Sequence, residues 1–275
     1  MESVRIVTAS SSATLPADCR GQVVVSGSYG GEYNAWHAAK WGIRGVVLCD
    51  AGVGCDRAGV KGLDYLDRVG VPAATADAMS CHIADGEHIL EHGRVSFVNA
   101  AAAALGCMPG ETVRDCAGRM KAGPVVDATL PAISGGQRFT VHDVPGEPKV
   151  ICTDAAPMLT LEDAGAIAVT GSHAALFRGR PDDVIRPQLH AVFFSDAGVG
   201  LDGVGIARLA DLDGRAMPAG TVSADSAPIG DARRILAEGV LSHVNRSAAA
   251  LGLAPGQRLR DAVDGLLRRA QEARR

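Results

Sequence analysis

The sequence predicts an α/β fold made by tandem duplication of a Rossmann-like or flavodoxin-like unit with mainly parallel sheets. Three observations predict it. The stretch VVLCDAGVGCD (Val46 to Asp56) returns as VFFSDAGVGLD (Val192 to Asp202). At the same offset of 146 residues, Pro72 meets Pro218, Ser80 meets Ser226, Asp85 meets Asp231 and Asn99 meets Asn245. Within each copy, short apolar runs alternate with segments of helical period, the pattern of strands joined by crossover helices.

Taken in order, QVVVSGS (Gln22 to Ser28) reads as a strand buried on both faces. A helix over Glu32 to Trp41 follows, closed by Gly42 at the position a left-handed cap favours. RGVVLCD is the next strand, ending in the glycine bend. Val60, Leu63 and Leu66 then mark one helical face, and a further strand reaches ATADAMS. The second copy repeats this with GAIAVTGS, HAVFFSD, a helix carrying Ile206, Leu209 and Leu212, and a strand reaching TVSADS. Leu259, Val263, Leu266 and Ala270 predict a C-terminal helix packed on the sheet. The expected organisation is a first repeat over 1–121, a spacer over 122–146 whose Gly135-Gly136 reads as a hairpin turn, and a second repeat over 147–275.

The chain has 275 residues, 47% of them hydrophobic, enough for a substantial core. A net charge of −4 without a basic block argues against nucleic acid as a partner, and aromatics at 4% leave few platforms for stacking bases. Seven scattered cysteines suit a reducing, cytoplasmic setting better than a disulfide framework. No run is long and apolar enough to predict a membrane span. The expected partner is a small-molecule substrate. The alanine-rich stretches NAAAAALG and NRSAAALG make a homo-oligomer plausible.

Ligands of open parallel sheets sit beyond the carboxyl ends of strands, so the loops leaving those ends are the candidate site. Ser28, Tyr29, Ser172, Ser80, Gly52, Gly54, Gly198 and Gly200 are candidates for substrate binding. His173, Asp196, Ser226 and Asp225 gather on three such ends in the second copy, matching a histidine base, an orienting carboxylate and a serine nucleophile. The first copy has Tyr29 where the second has His173, and offers Asp50 and the Cys81-His82 pair, with Cys81 as the alternative nucleophile. Backbone amides of the bends would hold an oxyanion.

Each residue also has a structural reading: Asp50 and Asp196 as anchors of the turn, the serines as helix caps, Cys81 as a buried filler. The leading functional expectation is a hydrolase of an amide-like or ester-like bond in a polar metabolite, with no cofactor. One alternative is a metal-assisted lyase or isomerase using His173, Asp196 and Asp225 around a divalent ion. Another is a non-catalytic module for a small ligand or nucleotide. Gly198, Gly200 and Gly203 formally match G-x-G-x-x-G, but Arg57 stands where the first copy would need its third glycine and Asp196 would repel a pyrophosphate.

Overall fold

A computed structural model describes residues 3–126, 129–133, 135–180 and 184–274. The first half holds β1 (Ile6–Ala9), β2 (Val23–Tyr29), α1 (Glu32–Ala39), β3 (Gly45–Cys49), α2 (Lys61–Asp67), β4 (Ala73–Ala76), α3 (Gly86–His92), β5 (Val95–Val98), α4 (Ala100–Ala104) and α5 (Val113–Met120). The second holds β6 (Arg138–His142), β7 (Val150–Thr153), β8 (Ile167–His173), β9 (Ala191–Ser195), α6 (Arg208–Gly214), β10 (Ala219–Val222), α7 (Ala232–Glu238), β11 (Leu241–Val244), α8 (Arg246–Ala250) and α9 (Leu259–Glu272). The fold is α/β, with the tandem arrangement the repeat predicts.

The first sheet has the order β1-β2-β3-β4-β5, parallel except for β5; the second has β11-β10-β9-β8-β7-β6, parallel except for its two edge strands. Alternate residues of each central strand feed opposite layers, which is why these strands read as continuous apolar runs. Val23, Val25 and Val47 pack under Ile89 of α3 and Val113 and Met120 of α5. Val24, Val46 and Leu48 pack against Ala35 and Ala38 of α1 and Leu63 and Leu66 of α2. In the second half, Val169, Phe193 and Val222 meet Ile235 of α7 and Leu259, Val263 and Leu266 of α9, as the C-terminal periodicity predicts.

Two local differences have physical reasons. Between β8 and β9 no counterpart of α1 forms among the described residues; a 3-10 turn with Arg178 at φ 52° stands there, and Pro187 follows before β9. Gly135-Gly136 is not a hairpin turn: a Cβ on Gly136 would fall 2.6 Å from the Tyr33 ring, so this glycine lets the chain lie on that ring. The hairpin joins β6 to β7 further along, and it adds the end of the spacer to the second sheet. Residues 127, 128 and 134 of the spacer lie outside the described residues.

Both sheets run sequentially, so neither contains the order reversal that opens a crevice in a doubly wound sheet. The crevice comes instead from placing two sets of strand ends together. The two glycine bends touch: a Cβ on Gly52 would lie 2.8 Å from Gly198 Cα, and one on Gly198 would lie 2.8 Å from Gly52 Cα. Reciprocal backbone bonds flank this contact, Cys55 N donating to Ala224 O at 2.7 Å and Leu201 N to Ala78 O at 2.9 Å. Those four residues are matched pairs of the repeat, so the halves meet about an internal pseudo-twofold axis. No helix among the described residues is long and apolar enough to cross a membrane.

Candidate functional site

The repeated bend is a rare backbone. Ala51, Gly52, Val53 and Gly54 all have φ between 49° and 72°, and Ala197, Gly198, Val199 and Gly200 repeat this between 50° and 72°. Left-handed angles cost an ordinary residue about 1–2 kcal/mol each, so something must hold the loop in place. The buried aspartates do so. Asp50 Oδ1 accepts from Gly52 N and Ala78 N, both at 3.0 Å; Asp196 Oδ1 accepts from Gly198 N at 3.0 Å and Ala224 N at 2.9 Å. Each carboxylate ties its own bend to the loop after the neighbouring strand, the loop whose carbonyl then receives the other half. Burial raises the Asp50 carboxyl above the usual range, opposed by those two amides.

Several candidates therefore serve the junction and the turns. Ser80 Oγ donates to Asp77 O at 2.7 Å and accepts from Arg94 N at 2.8 Å; Ser226 Oγ donates to Ser223 O at 2.7 Å and accepts from Val240 N at 3.0 Å. With donor and acceptor both engaged by backbone, Ser226 is not placed as a nucleophile. Cys81 is fully buried in the first core, with Sγ 3.4 Å from Asp77 O, so no substrate reaches it. His82 stacks on His88 with ring centroids 3.7 Å apart and places Nε2 3.0 Å from the Asp202 carboxylate of the other half. Asp225 is exposed.

The predicted His173, Asp196 and Ser226 chain is thus not assembled. His173 lies beside Ser195 in the register of β8 and β9, but the described bonds of Asp196 go to backbone amides. Nor do His173, Asp196 and Asp225 form a metal-type group; among the described residues that geometry occurs at Cys107, Glu111 and Cys116. The dinucleotide reading lacks its backbone donor, because the Gly198 amide already donates to Asp196 Oδ1 and the Gly198 Cα lies against Gly52.

What the structure does bring together is the other set of strand ends. Ser28 and Tyr29 of β2, Asn34 of α1, Ser172 and His173 of β8, Asp154 after β7 and Arg208 of α6 line one cavity of about 100 Å³ between the halves. Ser28 and Ser172 are matched across the repeat and held alike: Ser28 Oγ accepts from Ser12 N, Ser172 Oγ from Ala156 N, both at 2.9 Å. An accepting hydroxyl keeps its proton to donate. His173 Nδ1 accepts from Ala175 N at 3.2 Å, which assigns the neutral ring's proton to Nε2 and makes that edge a donor. Tyr29 is held in its neutral form, burial pushing its phenol up and Asp154 adding to the shift. Arg208, only 3% exposed, brings positive charge to the wall while its Nη2 donates to Ala175 O at 2.9 Å.

Asp154 is the acidic group of this cavity. Its carboxyl accepts from Gln137 N at 2.9 Å and Ala232 N at 3.2 Å, yet burial still raises it above the ordinary 3.8. Sequence reasoning overlooked Asp154, Asn34 and Arg208. The available signal was the mouth of the first strand of each half, where Asp154 follows KVICT as Ser10 falls just beyond RIVT.

Fold and site together define a duplicated α/β protein with a small cavity between its pseudosymmetric halves, walled mainly by apolar surface with a few polar groups. No family model, curated protein or solved structure matches the chain.

Proposed function

We propose that the chain is an enzyme that hydrolyses an amide-like or ester-like bond of a small polar metabolite in the cavity between the halves. One observation carries this reading: a half-buried carboxyl of raised basicity, Asp154, shares a cavity of about 100 Å³ with the imidazole of His173. The Asp154 carboxylate draws a proton from an attacking water, and its elevated basicity suits it to that task. The His173 imidazole, on the cavity wall, serves as the polar group beside the oxygen that becomes negative, and the Ser28 and Ser172 hydroxyls orient the substrate. This takes His173 out of the role of base and removes the serine nucleophile. A cavity of about 100 Å³ restricts the substrate to a small molecule or the end of one.

Incubating the protein with a panel of small amides and esters and following products by mass spectrometry tests the reading. Asp154→Asn and His173→Ala are expected to lower turnover by about 10²–10⁴-fold; Asp154→Asn should leave the urea midpoint near that of the parent, while His173→Ala also costs about 1–3 kcal/mol because the buried Ala175 amide loses its acceptor. Full turnover in both variants overturns the assignment, and a substrate-dependent thermal shift without product identifies a binding module.

Asp154 also fixes a pH signature. As a base it must be ionised, so kcat/KM rises with pH through its raised pKa, and Asp154→Asn loses that limb. Stability moves oppositely. The folded state holds this proton more tightly than the unfolded chain, so the contribution is full below the ordinary 3.8 and is lost as pH rises through the folded value.

A further inference from the structure

We propose that Cys107, Glu111 and Cys116 form a site for a thiophilic divalent cation of the zinc class, independent of the cavity between the halves. Cys107 lies in the turn between α4 and α5, Glu111 precedes α5 and Cys116 is on α5. Their two sulfurs and a carboxylate oxygen lie within 4.8 Å of one another. Zinc bonds of about 2.3 Å to sulfur and about 2.0 Å to oxygen set tetrahedral ligands roughly 3.3–3.8 Å apart, a contraction that small side-chain rotations supply. Two thiolates and a carboxylate suit a borderline-soft ion better than magnesium or calcium, and a water completes the set.

The second half serves as an internal control. There the matched positions are Leu253, Gln257 and Ala262. The backbone is the same: isolated bridges join Arg94 to Thr112 and Val240 to Arg258, and Gln257 Oε1 accepts from Ala254 N at 3.1 Å as Glu111 Oε1 accepts from Met108 N at 2.9 Å. A leucine, an amide and an alanine satisfy this connection, so the fold requires neither the thiols nor the negative charge. What the first half adds is a set of ligand atoms. Arg119 now pairs with Glu111, and its side chain is 41% exposed, so it has room to swing out when a cation takes over the carboxylate.

Binding is a substitution without redox change: each thiol loses its proton to solvent, both sulfurs donate electron pairs to the ion, and two protons are released per cation. Full-length protein kept reduced and titrated with Co²⁺, then Zn²⁺, reads this directly. The expected result is a thiolate-to-cobalt charge-transfer band saturating at one equivalent, displaced by Zn²⁺, with two protons released. Cys107→Leu with Cys116→Ala, which copies the second half, should abolish the band, and Cys55→Ser should leave it intact. Glu111→Gln should weaken binding about tenfold or more, and this variant decides the matter where the double one does not fold. Absence of a stoichiometric band, its persistence in the double variant, or unchanged affinity in Glu111→Gln overturns the site.

Discussion

Substituting Gly52 with alanine is expected to destabilise the protein by about 2–5 kcal/mol, measured by urea denaturation. Two costs combine. At φ +72° an alanine pays roughly 1–2 kcal/mol in backbone strain. The new methyl would then stand 2.8 Å from Gly198 Cα, and overpacking of that kind adds about 1–3 kcal/mol because backbone, not a flexible side chain, must retreat. Gly203→Ala isolates the first cost, since Gly203 has φ +71° and no atom within 4 Å of its Cβ position. The difference between the two variants measures the junction. Gly198→Ala should match Gly52→Ala, because each methyl faces the other's Cα. In the double variant the halves have already parted for the first methyl, so the second should add little beyond its backbone strain, a coupling of about 0.5–3 kcal/mol in a mutant cycle. Parting the halves also reshapes the cavity, so activity should fall even where the variant remains folded. Equal effects of Gly52→Ala and Gly203→Ala would mean that the bends do not bear on each other.

The junction shows what the sequence could reveal and where its information ended. Strand ends and helix faces are local, and they were legible, as with Leu63 and Leu66 of α2 on the first sheet; the caps were not, since the first amides of α3, α4, α7 and α8 are met by Asp85, Asn99, Asp231 and Asn245 and not by the serines expected there. The repeated DAGVG was legible as special, but its reason was not. A bend conserved between two copies looks like a binding loop when only one half is considered; across the axis it is the surface each copy presents to the other. Asp154 and His173 converge on one cavity from different strands, and Ser28 and Tyr29 reach it from the other half, a relation no spacing encodes. Arg208 was hidden for another reason, since a buried arginine inside a helix of apolar period reads as a solvent-facing residue until its environment is known.

Replacing the paired aspartates separates a structural anchor from a chemical group. Asp196→Ala leaves the amides of Gly198 and Ala224 without their acceptor, at about 1–3 kcal/mol for the buried Ala224 amide and less for the solvent-accessible Gly198, so a clear loss of urea stability is expected. Asp196→Asn keeps Oδ1 in place for both amides and removes only the charge; it should retain most stability and turnover within a few-fold of the parent. A carboxylate engaged in chemistry would behave otherwise, with Asp196→Asn stable but inactive, and that outcome would restore Asp196 to the catalytic set. Asp50 adds a pH test of the same idea. Burial raises its pKa in the folded state, so its proton favours folding, and the contribution present below the ordinary 3.8 is lost as pH rises through the folded value. Asp50→Asn carries no charge at any pH and keeps the acceptor for Gly52 and Ala78. Its stability relative to the parent should therefore climb with pH across that window and level off above it, whereas Asp50→Ala should remain less stable at every pH because the unpaired amides persist.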